Sequence, residues 1–216
     1  MCNLTTVRKS AAEVARHFKV RTPPDVALNV PEETLPGYPG MVIREADGER
    51  VLQSMVWGFP LRLKGMKPDS KPRPVNNIAD LSKPMWSGLG AKPQGRCLIP
   101  LTGFAEPAGP KGSKTWTWVT VKGQPIFAWE GSGGKAPNGG LSIQGRWPTA
   151  TKRCDRSMIE CRSCCTPTNT SNGYADRSKI AFQKRCFPDD LIELQPTSEL
   201  WVKKKAPASS EATSLL

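Results

Sequence analysis

Residues 41–59 read Met41-Val42-Ile43-Arg44-Glu45-Ala46-Asp47-Gly48-Glu49-Arg50-Val51-Leu52-Gln53-Ser54-Met55-Val56-Trp57-Gly58-Phe59. Two apolar-rich stretches flank Asp47-Gly48, the dipeptide that best tolerates the positive φ values of a type I′ turn. The pattern predicts an antiparallel hairpin. Outward from it, Arg96-Cys97-Leu98-Ile99-Pro100-Leu101 is a short apolar run of the buried-strand type. Thr115 to Trp129 alternates and turns at Lys122-Gly123, and Leu191 to Leu194 reads as a further strand. Upstream, Ser10 to Val20 sets Ala11, Val14, Ala15 and Phe18 at helical spacing with Ser10 as N-cap. Pro31 to Gly40 reads as a loop, and a basic loop holding Arg62, Lys64, Lys67, Lys71 and Arg73 follows the hairpin. Together these predict an α+β fold: one domain with a mainly antiparallel β core and flanking helices.

The chain has 216 residues, 38% of them hydrophobic, which is enough for one well-filled core. No apolar run approaches the roughly 18 residues of a membrane span. Met1-Cys2-Asn3-Leu4-Thr5-Thr6 leads into a charged helix rather than a signal-peptide core, so a cytoplasmic protein with reduced cysteines is expected. Its seven cysteines, an odd number, do not suggest a disulfide framework. A net charge of +12 favours a polyanionic partner, with a generally basic surface as the plain alternative. His17, the sole histidine, falls among the polar positions of the helix and reads as a solvated surface residue.

Cys2 carries the most chemistry. With Met1 removed, a free α-amine and a thiol would share one residue, with typical pKa values of about 7.7–8.0 and about 8.5. Such a 1,2-aminothiol condenses with an aldehyde to a Schiff base, and its thiol then closes a thiazolidine. The alternative is an accidental cysteine on a frayed terminus.

The motifs Met1-Cys2-Asn3-Leu4, Met55-Val56-Trp57-Gly58-Phe59-Pro60, Arg73-Pro74-Val75-Asn76-Asn77, Lys83-Pro84-Met85-Trp86 and Arg96-Cys97-Leu98-Ile99-Pro100-Leu101-Thr102-Gly103-Phe104-Ala105-Glu106 resemble those of the SRAP family. These are the SOS-response-associated peptidase-like, or abasic-site processing, proteins. The likeness runs from residue 1 to about 130 and is expected to resume near Ile180. It implies that Cys2 captures the ring-opened aldehyde of abasic sites in single-stranded DNA as a covalent protein–DNA linkage. Asn76 would position the cysteine and the sugar, and Glu106 would handle protons. The family's self-removal of Met1 accounts for the peptidase label. Trp57, Arg62, Lys71 and Arg73 are the candidates for DNA contact by stacking and charge, although Trp57 equally suits the core. A monomer with no cofactor is expected, associated with the nucleoid when bound to damaged DNA.

Two departures qualify the likeness. Ile78 stands where the family often has an arginine, and the family's His-Asp-Arg-Met-Pro signature, whose histidine moves protons and reverses the crosslink, is absent. The segment 131–179 is also unlike the rest of the chain. Its 49 positions hold four residues from Leu, Ile, Met, Val and Phe (Leu141, Ile143, Met158 and Ile159), with eight Lys/Arg against three Asp/Glu. Neither strand nor helix periodicity emerges. Cys154, Cys161, Cys164 and Cys165 crowd there, but Cys161-x-x-Cys164 has no second pair or nearby histidine, so no metal site is expected.

Ser157-Met158-Ile159-Glu160-Cys161-Arg162 can be encoded TCC ATG ATC GAA TGC CGG. Starting at the third base, this reads CAT GAT CGA ATG CCG, which is His-Asp-Arg-Met-Pro. The same offset then permits Val-Leu-Leu-His-Pro-Asp-Glu-Tyr-Glu-Gln-Trp-Leu, a normal amphipathic continuation. Residues 131–179 thus read as an out-of-frame translation between two compensating indels, or else as a diverged insert. The domain is expected over 1–204 with a disordered tail over 205–216. The functional alternative is an inactive or non-catalytic single-stranded-DNA-binding relative.

Overall fold

A computed structural model of the chain describes residues 3–22, 28, 30–62, 64–67, 69–78, 95–135, 141–146, 164–165 and 189–201. The hairpin forms as its sequence predicts. β3 (Pro39–Ala46) and β4 (Glu49–Trp57) pair antiparallel from Pro39 opposite Val56 to Ala46 opposite Glu49. At the turn Asp47 and Gly48 take φ values of 52° and 78°, both positive as a type I′ turn requires.

Around this hairpin lies the larger of two main sheets. It also contains β8 (Arg96–Leu101), β11 (Phe127–Lys135), β12 (Leu141–Arg146), β7 (Asn77–Ile78) and β13 (Cys164–Cys165). The smaller sheet orders β14 (Ile192–Leu200), β10 (Thr115–Val121), β9 (Gly103–Ala108), β1 (Leu4–Thr6) and β2 (Glu33–Thr34). β5 (Phe59–Leu61) and β6 (Arg73–Val75) make a separate two-stranded ribbon. Among the described strands every pairing is antiparallel except those of β12 with β4 and β7, which are parallel.

In the order of the described strands the chain changes between the two main sheets four times, from β2 to β3, β8 to β9, β10 to β11 and β13 to β14. β8 and β9 are separated only by Thr102, yet β8 belongs to the larger sheet and β9 to the smaller. The Lys122-Gly123 turn, with Gly123 at φ 71°, likewise sends β10 and β11 into different sheets. Between the inner faces sit Val42, Met55, Trp57, Cys97, Ile99, Leu101, Phe127 and Trp129 from the larger sheet, against Phe104, Val119 and Val121. All six residues of β8 are buried, as expected of a strand covered on both faces.

α1 (Ala11–Phe18) starts from a capping box in which Ser10 and Glu13 satisfy each other's backbone N–H groups. Its apolar stripe, Val14 and Phe18, packs with Met41, Ile43, Leu52, Leu98 and Ala128 on the far face of the larger sheet. The smaller sheet's outer face carries a third cluster of Leu4, Ala105 and Trp116.

Three expectations are corrected. Among the described residues there is one α-helix, so the fold is a mainly antiparallel β structure with a single flanking helix. Strand structure does not stop at residue 131: β11 continues to Lys135 and pairs with β12, which lies wholly within the unusual segment. His17 is half-buried rather than solvated. Its ring sits edge-on to Phe18 at 4.9 Å, and its Nε2 is enclosed without a hydrogen-bond partner among the described residues. No helix among the described residues is long and apolar enough to cross a membrane. The expected tail, 205–216, lies outside the described residues, as do most of 147–188.

Candidate active site

Asn76, one of the expected site residues, meets the residue that follows Cys2. Cys2 itself lies outside the described residues, whereas Asn3 is half-buried at the start of β1. The Asn76 side-chain amide donates to Asn3 Oδ1 at 3.0 Å, joining positions 73 residues apart. Asn76 is the single residue between β6 and β7, and its backbone is anchored from the core. The Trp57 indole Nε1–H donates to the Asn76 carbonyl oxygen at 3.1 Å.

Glu106 reaches the same region through strand register. β1 pairs with β9 so that Leu4 lies opposite Ala105 and Thr5 opposite Phe104. The next positions outward on the two strands are Asn3 and Glu106. Alternation puts Glu106 on the inner face with Phe104, away from the Ala105 side. Glu106 is 5% exposed, and Thr117, its cross-strand partner on β10, is 1% exposed. Thr117 Oγ1 is enclosed without a hydrogen bond among the described residues. Glu106 therefore sits within β9 and is buried there. A carboxyl so enclosed is shielded from bulk water, which strengthens its interactions with any charge that develops beside it.

Trp57 is 3% exposed and packs against Trp129, ring centroids 6.3 Å apart, so no base can stack on it. That corrects its assignment as a DNA contact. Its observed part is to hold Asn76 from below. Gly58, which follows it, is a point of forced approach: φ is +105°, and a Cβ there would lie 2.6 Å from Pro74 Cβ. Only glycine lets the β5–β6 ribbon fold back this closely, and that ribbon ends one residue before Asn76.

The other expected DNA contacts all lie on the ribbon. Arg62, Lys71 and Arg73 are exposed, together with Lys64 and Lys67, and Asp69 is the one carboxylate among the described residues of the loop. None of the five cations pairs with a carboxylate among the described residues. Arg62 Nη1 instead donates to the Lys67 carbonyl oxygen at 3.4 Å. Exposed cations on this ribbon and its loop suit phosphate contacts, which release counterions.

Sequence reading passed over Asn3 as a site residue, although it adjoins Cys2 in the first motif. It also missed Thr117, whose place opposite Glu106 depends on a pairing between strands that local pattern does not reveal. Cys97, a cysteine whose side chain is described, is buried in the core. Burial raises its thiol pKa to about 12, against a smaller opposing pull from Arg44. It is inert packing. Among the described residues no group of three or more His, Cys, Asp or Glu is placed to hold a metal ion. Cys154 and Cys161 are outside the described residues.

Residues 1–135 match the family model described as SOS response associated peptidase (SRAP). The matched span ends at residue 135, so it does not include the resumption expected near Ile180. Comparison with curated proteins found no match. Among solved structures, a protein from Bacteroides thetaiotaomicron is 17% identical with a TM-score of 0.71, covering 90% of this chain and 91% of that one. A protein from Bordetella bronchiseptica is 16% identical with a TM-score of 0.68, covering 91% of this chain and 99% of the other. A phage-related protein from the same organism is 14% identical with a TM-score of 0.61, covering 91% and 94%. At these identities the likeness is one of fold.

Proposed function

We propose, from the premise that the chain belongs to the SOS response associated peptidase (SRAP) family, that it captures abasic sites in single-stranded DNA through Cys2. Membership supports a DNA-damage-associated role and a peptidase-like activity in general terms. The observation that carries the finer reading is the Asn76–Asn3 hydrogen bond, with Glu106 at the adjoining strand position. It gathers an amide and an enclosed carboxyl around the residue next to Cys2.

The chemistry follows from that arrangement. After hydrolysis of the Met1–Cys2 peptide bond, the Cys2 α-amine adds to the sugar aldehyde to give a carbinolamine. Glu106 in its acid form protonates the departing hydroxyl, water leaves and the Schiff base forms. The Cys2 sulfur then attacks the imine carbon. Its thiol proton leaves and the ring nitrogen gains one, closing the thiazolidine. Asn76 limits the motion of the Cys2–Asn3 backbone, so the amine and thiol meet the aldehyde in a near-attack geometry. The β5–β6 ribbon supplies cations for the phosphates on either side of the lesion.

Incubating the purified protein with an abasic-site oligonucleotide should give a band that survives denaturant and disappears in Cys2→Ala. Because the expected histidine is absent, capture should outlast release: the band should persist on chasing with excess competitor DNA. The exposed ribbon also favours a second reading, a non-catalytic single-stranded-DNA binder. Salt-sensitive binding with no denaturant-resistant band would select it.

A further inference from the structure

On the outer face of the smaller sheet, turned away from Glu106, lies a cleft of about 250 Å³ that the capture chemistry does not use. Its floor is a row across strands. Thr6 on β1 is opposite Gly103 on β9, with Thr120 on β10 next to it. Gly103 leaves the middle of that row open: a Cβ there would lie 3.4 Å from both Thr6 Oγ1 and Thr120 Cγ2. Trp118 and Pro125 form apolar walls, and Gln195, opposite Trp118 on β14, stands at the rim.

Arg8 and Lys9 give one end of the cleft positive charge. The Arg8 guanidinium lies 5.6 Å from the Trp118 ring centroid and has no carboxylate partner among the described residues. Lys9 pairs with Glu13 at 3.0 Å, a contact exposed enough to exchange. The opposite end is different. Glu193 accepts from Thr120 Oγ1 at 3.3 Å, which places a carboxylate there. The cleft is therefore polarised, with an anion favoured at Arg8 and a neutral group favoured along Trp118 towards Gln195.

We propose that this cleft binds a nucleotide, with its phosphate at Arg8 and Lys9 and its base along the Trp118 indole. An indole beside a guanidinium is the pairing that stacks bases and meets phosphates in single-strand binding. Gln195 offers both a donor and an acceptor to a base edge. The volume is just below the roughly 300–1,000 Å³ of sites for drug-sized ligands, which suits one nucleotide unit. That unit can be a free nucleotide or part of a strand, since both present the same chemistry.

The test titrates 15N-labelled full-length protein with dTMP and, separately, with an undamaged eight-residue oligothymidylate. Cys2→Ala is carried throughout so that capture chemistry plays no part and its failure cannot be mistaken for failure of the cleft. Amide shifts at Thr6, Thr102, Gly103 and Thr120 and at the Trp118 indole N–H are expected. Shifts with dTMP alone identify a free nucleotide, and shifts with the oligomer identify a strand. Arg8→Glu should weaken binding at least tenfold; Arg8→Lys, which keeps the charge but not the plane, should lie between it and the parent. Absence of shifts at these positions with both probes, or undiminished binding by a folded Arg8→Glu protein, overturns the proposal.

Discussion

Asn76 holds Asn3 by a 3.0 Å hydrogen bond while Trp57 holds Asn76 by its carbonyl at 3.1 Å, so the position after Cys2 is linked to the buried core through two bonds. Each bond contributes about 0.5–1.5 kcal/mol to stability, a modest amount. Their larger effect is on geometry, because a misplacement of about 1 Å at a reacting centre costs on the order of 100-fold in rate. Asn76→Ala is expected to slow crosslinking to an abasic oligonucleotide by about 10–100-fold while lowering stability by about 1 kcal/mol. Timed denaturing gels beside a urea melt separate the two effects. Equal crosslinking rates in variant and parent would remove Asn76 from the mechanism.

Glu106→Gln keeps the side chain's shape and most of its contacts but cannot give up and take back a proton at the reacting atoms. General acid–base catalysis typically contributes about 10²–10⁴-fold, and a loss in that range is expected in the crosslinking step. Binding to the same oligonucleotide, measured by anisotropy in Cys2→Ala protein with and without Glu106→Gln, should change little. A variant that loses binding and capture together would make Glu106 a structural residue.

Gly58 is a different kind of lever because it acts through the backbone of the ribbon. Alanine there must adopt φ near +105° and displace Pro74, whose Cβ would be 2.6 Å away. Backbone strain of this type costs about 1–3 kcal/mol. Gly58→Ala should therefore lower the urea midpoint and shift the ribbon that ends at Val75, slowing capture as Asn76→Ala does. Gly48 also has positive φ, at +78°, but open space around it. Gly48→Ala is the control, expected to lose stability without loss of capture beyond what that stability explains.

The local parts of this protein were legible in its sequence, and the parts that join distant segments were not. Asp47-Gly48 specified its hairpin because a type I′ turn needs two positive φ values at neighbouring positions, and few dipeptides supply them. The Ser10 cap and the Val14–Phe18 stripe fixed α1 in the same local way. Thr115 to Trp129 shows the limit. Its alternation and turn are present, but nothing local distinguishes strands that pair from strands that separate into two sheets. Trp57 presented both an apolar body and a stacking surface, and only the packing of Trp129 against it decides between them. The bond between Asn76 and Asn3 joins positions 73 residues apart; the resemblance implied a role for Asn76 beside Cys2, but neither it nor local chemistry pointed to Asn3.

Acid should act on the helix cap. The Ser10 backbone N–H, followed by the Lys9 side chain, holds the Glu13 carboxyl at about 2 in the folded protein. An unfolded glutamate titrates near about 4.3. Since the folded value is the lower one, the stabilisation is fully present above about pH 4.3 and disappears as pH falls through that window towards 2. Melting temperatures measured from pH 6 to pH 2 should show the parent losing more than Glu13→Gln, with the two curves converging at the acid end. Parallel curves would mean that the cap does not form in solution. Sodium chloride should narrow the gap only in part, because the Lys9 contact is screened while the backbone bond is not.

The last expectation concerns the chain beyond the matched span. The family match stops at residue 135, within the segment whose composition departs from the rest, and a one-base offset over Ser157 to Arg162 restores His-Asp-Arg-Met-Pro. Codon degeneracy leaves some freedom in that reading, but methionine has a single codon, so Met158 forces the last two bases of the histidine codon and the first base of the next. An intact mass of the protein isolated from its source cells tests the frame and the start of the chain together. A mass equal to the printed sequence without Met1 would retain the aminothiol at Cys2 and reject the offset. A mass equal to the restored frame without Met1 would add a histidine to the site, and release of the crosslink should then become measurable. Native stability is only about 5–15 kcal/mol, so a chain that carries 49 positions without a core-forming pattern should also melt well below its restored counterpart. Side-by-side melts of the two polypeptides, expressed from resequenced genes, give the comparison, and equal melting temperatures would favour a diverged insert over a shifted frame.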